Sequence, residues 1–353
     1  MIADFRSEIG SLMDQLFGRS GARSGRRLSK DRKGSRMQPA TLGVAEGSPT
    51  SGAHANVAML RFTALALDSS LTDLRSEATQ WELAALEPAA RVLGDLELQA
   101  KYLPRRPSLL PRLMSAINSD SNSMRAMARI IGDDGTLLVG LLKLANSSFY
   151  RMSDARPIDS LEKAVSLVGT DGLRSLVATA LLHPVMTGAG GPFSSFAEAT
   201  WEHGQYAAAC AELHAARIER SDAFNARLLV LLLGLASNTV FRIAREHCLA
   251  EADGMRPAAL AKLLDEWGPR TALRIAESWQ LPAELCSVLA MPAASALARS
   301  VHFGRLAGAL LILVNRGQMR ELSARALVLA DDRSTEVDRL WSRLAITHLT
   351  ATR

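Results

Sequence analysis

Apolar residues recur at three-and-four spacing along most of the chain, and the gaps between these runs hold glycine, proline and small polar residues. Such a pattern predicts a succession of amphipathic helices. It is clearest from Thr136 to Val177. Leu137, Leu138, Leu141, Leu142, Leu144 and Ala145 form a wide apolar face that only Lys143 interrupts with charge, so this helix is expected to be buried. Asn146, Ser147 and Ser148 end it, because short polar side chains compete for backbone hydrogen bonds; Phe149 and Tyr150 follow before a turn through Arg156 and Pro157. Asp159 with Glu162 three residues on reads as a helix cap and its reciprocal partner, opening a helix from Leu161 to Val168. Gly169 stops that helix, and Thr170 or Asp171 caps the next, which carries Leu173, Leu176, Val177 and Ala180.

On either side the same periodicity continues. Residues 2 to 17 place Ile2, Phe5, Ile9, Leu12, Met13, Leu16 and Phe17 on one face, the pattern of an amphipathic helix that docks on its own protein, a partner or a membrane surface. Gly18 to Ala55 holds almost no large apolar residue and reads as a disordered linker. Helical spacing resumes from Val57 to Ala100 as an extension in which Pro88 breaks or starts a helix, and Pro104, Pro107 and Pro111 mark an extended entry to a helix with Leu110, Leu113, Met114 and Ile117. Met124 to Ile131 is another short helix. Longer ones follow: Phe196 to Ile218; Ala223 to His247, with the apolar segment RLLVLLLGLA; a segment burying Leu273, Ile275 and Trp279; Ala294 to Asn315; and Thr335 to Leu349. Unbroken apolarity in the second of these means burial on all sides.

At 353 residues and 48% hydrophobic content the chain has ample material for a core, and aromatic residues make up only 5%. With no alternating β-branched runs, the fold class is all-α. No uninterrupted apolar run approaches 18 residues and no cleavable leader pattern opens the chain, so a cytoplasmic location is expected. Cys210, Cys248 and Cys286 form no CxxC pair, which excludes a zinc ribbon. The net charge of +5 is unevenly spread, because Arg19 to Arg36 carries eight Lys or Arg against Asp31 alone. Arg26, Arg27, Arg32 and Lys33 are therefore the candidate contacts for an anion, whether nucleic acid or an anionic membrane, although such a run is also the composition of a solvated tether.

Sequence patterns for chemistry are sparse. GxSxG, a glycine-rich loop ending in Lys-Ser or Lys-Thr, and HExxH are all missing, and no cofactor is expected. The joint EKAVSLVGTDGLRSLVATAL has the outline of a DNA-binding helix-turn-helix, but its second helix offers Arg174, Ser175 and Thr179, a single cation behind an acidic start.

The entry LPRRPSLLPRLMSAI, the segment LLKLANSSFY, the joint IDSLEKAVSLVGTDGLRSLV, the WEH of Trp201 to His203 and the segment ESWQLPAEL resemble the bacterial HDOD domain, and they occur in its order. The resemblance implies a multi-helix bundle, with an N-terminal helical half at 101–186 and an HD-like half at 193–353. It is similar to the HD superfamily of metal-dependent phosphohydrolases, including the enzymes that cleave cyclic di-GMP. It also implies an output or scaffolding role in signalling, often bearing on motility, biofilm or virulence, with a protein partner and a possible homo-oligomer. An HD enzyme needs a histidine, an adjacent His-Asp pair and a distant Asp to hold metal against a phosphoester. The first matches His203; the pair is expected at Gly234 and Leu235, and the last Asp just after Val301 and His302, near Gly304 and Arg305. His203 and His302 are then vestigial and the chain non-catalytic. With the metal ligands gone, the candidate partner or ligand contacts are Asn146, Tyr150, Arg151 and Arg174; for Asn146 and Tyr150 the competing expectation is a cap and its packing. The alternative function is a nucleotide- or nucleic-acid-binding effector, for cyclic di-GMP or DNA, without hydrolysis.

Overall fold

A computed structural model describes residues 53–67, 79–95, 102–104, 106–117, 123–133, 137–138, 141–142, 145–146, 158–187, 194–247, 257–290 and 295–349. The expected helix at residues 2 to 17, nearly all of the linker, Tyr150, Arg151 and the four candidate anion contacts lie outside these residues. Among the described residues every regular element is a helix: α1 Ala53–Ala66, α2 Gln80–Ala85, α3 Glu87–Gly94, α4 Leu110–Ile117, α5 Ser123–Gly132, α6 Leu161–Thr187, α7 Ser194–His214, a π-helical turn Ala215–Glu219, α8 Ala223–His247, α9 Pro257–Ser278, α10 Ala283–Ala290, α11 Ala296–Asn315, α12 Glu321–Asp331 and α13 Thr335–Leu349. The fold is all-α.

The apolar segment of α8 is buried without interruption from Ala226 to Ala236, so the helix has no solvent side there. Around it pack α3, α6, α7, α9, α10 and α11. α8 and α11 are long and apolar enough to cross a membrane, yet their most apolar stretches are 83% and 72% buried inside the protein, as central core helices are. Two apolar clusters meet on α8. One gathers α4 to α6, through Leu110, Met127, Ile131, Leu173 and Leu176, against Leu228 to Leu235. The other holds α1 and α3, through Ala58, Phe62 and Leu93, against Val240, Leu310 and Trp341. The segment before residue 101 therefore shares a core with the second half.

Local joints follow their chemistry with small shifts. α6 starts at Leu161 as expected, but the cap is Ser160, whose Oγ accepts from the Lys163 amide at 3.3 Å; Asp159 instead pairs with Lys163. At Gly169 the backbone turns to φ 72°, ψ 175°, so α6 is two helices across one glycine, and a Cβ there would meet nothing within 4 Å. Backbone conformation, not space, is what asks for glycine at this joint. α1 begins at Ala53, two residues inside the expected linker, and Pro88 sits in the first turn of α3, where its missing N–H costs nothing. α12 is a helix that periodicity passed over; only Ala324 and Val328 of its residues are buried, too few to make a stripe in a sequence.

Candidate functional site

His203 lies on α7, 5% exposed, with Nε2 3.0 Å from the Arg305 carbonyl of α11. A carbonyl only accepts, so Nε2 carries the proton and is closed to a metal ion. Burial pushes the imidazole down to about 4; the Arg305 carbonyl opposes that and the Arg305 charge adds to it, so the ring is neutral at pH 7. The ring of Phe62, from α1, lies 4.6 Å away at a 32° tilt. A ring therefore covers the first of the positions at which the chemistry of metal would begin.

The second position is hydrocarbon, because Gly234 and Leu235 are buried in α8. Polar side chains appear one turn on. Ser237 and Thr239 each donate to a carbonyl of their own helix, at Leu233 and Leu235. Both amide atoms of Asn238 are buried without a hydrogen-bond partner. Arg227 against Glu212, Leu231 against Gly204 and Phe241 against Phe196 mark the face of α8 that meets α7. Helical spacing puts Asn238 on that face, level with Thr200, whose buried hydroxyl is likewise unpartnered. The polar position facing α7 is thus Asn238, a turn beyond the expected pair.

At the third position Arg305 is half-buried, and burial lowers its affinity for a proton, with Asp265 opposing. Beside it Gly304 and Gly308 press α11 against α7: a Cβ on either would come within 2.5–2.6 Å of Ala207 or Ala211. Among the described residues no group of three His, Cys, Asp or Glu is placed to hold a metal. His302 contacts Asp331 of α12 at 3.0 Å, which ties two helices together. His214, missed as a feature of the site, stacks on Phe303 at 4.4 Å and reaches Ser300 Oγ at 3.1 Å; burial lowers it to about 4 as well.

The expected contact residues separate. Asn146 is committed to the backbone: its amide donates to the carbonyls of Leu142 and Ile158 and accepts from the Ile158 amide, at 2.7–2.8 Å. It clasps the entry to α6. Asn146→Ala is expected to cost about 1–3 kcal/mol by leaving buried backbone groups unpaired; a urea midpoint unchanged from wild type would show that the clasp is dispensable. Arg174 is half-buried on the second part of α6, away from His203 in sequence and in element.

The HDOD domain family matches the sequence over residues 103–294, more than half of the chain. The chain belongs to the HDOD domain family. No curated protein matches it. A crystal structure of an HDOD domain protein with unknown function from Geobacter sulfurreducens is similar in fold, with a TM-score of 0.51 at 18% identity, covering 70% of this chain and 91% of that one. A second, from Shewanella amazonensis and provisionally named a metal-dependent phosphohydrolase, has a TM-score of 0.48 at 16% identity, covering 74% of this chain and 99% of that one. Within the HDOD domain two separated motifs grip each other. Trp279 Nε1 donates to the Pro104 carbonyl at 2.8 Å, while Arg106 donates to the Trp279 carbonyl and to Gln280. Gln280, at φ 57°, ends α9 in the left-handed conformation, and the Leu281 amide closes on the Ala276 carbonyl. These bonds fix the HDOD entry segment to the α9 end. The helices α1, α2, α3, α12 and α13 lie outside the matched range.

Proposed function

We propose that this HDOD protein is a non-catalytic regulator or scaffold of bacterial signal transduction, acting in the cytoplasm through protein contacts and bearing on motility, biofilm or virulence. The observation that carries it is His203: its Nε2 is spent on the Arg305 carbonyl beneath the Phe62 ring, and the other two ligand positions offer hydrocarbon, an amide or a guanidinium. A cationic side chain where an acid is needed repels a metal ion. The purified full chain, assayed with bis(4-nitrophenyl) phosphate and with cyclic di-GMP in the presence of Mn²⁺ or Mg²⁺, is expected to give no turnover above buffer. Metal-dependent hydrolysis that His203→Ala abolishes would overturn the proposal. The basic stretch from Arg19 to Arg36 favours a second reading, an effector that binds DNA or a nucleotide without cleaving it. For that reading, calorimetric affinity for DNA falls steeply between two salt concentrations and vanishes when Arg26, Arg27, Arg32 and Lys33 are replaced by glutamine.

A further inference from the structure

α1 lies outside the HDOD match, yet it covers His203. It packs on α7, α9, α11 and α12, and its inward stripe is Ala58, Phe62 and Ala66, spaced by four residues. Two small residues let the helix sit close, and Phe62, 3% exposed, is its one large, fully buried anchor. Met59, Leu60 and Leu65 are half-buried and Val57 is 44% exposed.

What holds α1 differs from what holds the body. Among its described side chains, the hydrogen bond that Thr63 makes stays within the helix, to the Met59 carbonyl, and no ion pair or hydrogen bond links Val57 to Ala66 with another helix. The body helices carry such links: Glu212 to Arg227 between α7 and α8, His203 to Arg305 and Glu202 to Arg316 between α7 and α11, and Tyr102 to Glu246 at the end of α8. α1 can thus leave without stranding any polar bond. A helix of its length is marginal alone in water, so it takes its shape from its seat.

We propose that α1 is a self-ligand: it fills, in cis, a helix-docking groove between α7, α9, α11 and α12, and an amphipathic partner helix engages the protein by displacing it. The partner is specified by the seat, as an aromatic residue that lands on His203 between two small residues four positions away on each side. Docking of this kind is helix-in-groove recognition with the groove self-occupied at rest. The inference deepens the protein-contact reading and rests on it, because a working metal centre under Phe62 would make α1 an active-site lid. The two fail separately, since hydrolysis is read with a phosphodiester and docking with a peptide.

A fluorescein-labelled peptide of residues 53–67, titrated by anisotropy into the full chain, provides the probe. Wild type is expected to bind it weakly, and full-length Phe62→Asp, which ejects its own α1, at least tenfold more tightly; the same peptide carrying Phe62→Asp binds neither. Equal affinity for wild type and variant, or no binding to a variant that still unfolds cooperatively, overturns the proposal. If Phe62→Asp does not fold, hydrogen exchange on the wild type decides: α1 amides exchange through a local opening, well before those of α8. Equal protection of α1 and α8 overturns it.

Discussion

Glu212→Ala is expected to destabilise the protein by about 3–5 kcal/mol, the range for removing one partner of a buried ion pair. Arg227 is 2% exposed and Glu212 8% at the side chain, and Arg227 Nε donates to Glu212 Oε2 at 2.6 Å. A carboxylate in water loses little when its partner leaves, because solvent takes over. Here the guanidinium would stay in the seam between α7 and α8 with its hydration already surrendered, in surroundings that are otherwise alanine and leucine. A pair of this kind adds little to net stability as a pair, so replacing both members is expected to be far milder than replacing one. Urea unfolding of Glu212→Ala, Arg227→Met and the double variant Glu212→Leu with Arg227→Met tests this: two large losses, and a double variant that recovers most of either. A loss under about 1 kcal/mol in Glu212→Ala would mean that water reaches the seam.

Acid is expected to weaken the fold well above the carboxylate range. His203 and His214 titrate near 4 in the folded chain, against 6.5 as model groups, in both cases chiefly because burial disfavours the charged ring. Between those values the unfolded chain binds a proton that the folded chain refuses, so stability falls as pH drops from about 6.5 toward 4. At about 1.4 kcal/mol per pH unit and per proton, each ring withdraws roughly 2 kcal/mol by pH 5. Unfolding free energies at pH 7, 6 and 5 read this directly. His203→Gln with His214→Gln should flatten the profile over that interval, since glutamine keeps a donor but cannot be charged. An unaltered slope in the double variant would place the acid sensitivity elsewhere. Glu219, held below its usual value by Arg299, acts in a separate window: its contribution is present above the ordinary carboxylate pKa and is lost as pH falls below it.

The elements that sequence reading located share one property, which is that their signal is local. The unbroken run Leu228 to Leu235 announces a helix buried on every side, and Gly169 announces a joint, because each consequence lies within a few residues of its cause. The site was legible in its first residue and partly in its third. His203 and Arg305 stand where family order puts them, and their meeting through a carbonyl is a fact of helix packing. Gly234 and Leu235 mistake the turn of α8 that carries the polar face, because in an apolar run nothing but the partner helix tells one turn from the next; the pairing of Phe241 with Phe196 supplies the register. Glu212 and Arg227 look in sequence like two ordinary surface charges. Phe62 and His203 are far apart in the chain, and a helix whose stripe is mostly alanine gives a weak periodic signal, so the covering of the site by α1 had no local trace.

The seam between α7 and α11 bears on how relatives of this chain are to be compared. A Cβ at Gly308 would come within 2.7 Å of three Ala207 atoms, and one at Gly304 within 2.5 Å of the Ala207 carbonyl and the Ala211 methyl. Enlarging any of these four residues must push two core helices apart, and a larger group on one side can be accommodated only by a smaller one opposite. Homologues that keep this crossing are therefore expected to hold small residues at 207, 211, 304 and 308, and to vary them together, whether or not they have any chemistry nearby. Invariance beside the old ligand positions is a mark of spacing, and a catalytic inventory drawn from it would count steric necessity as function.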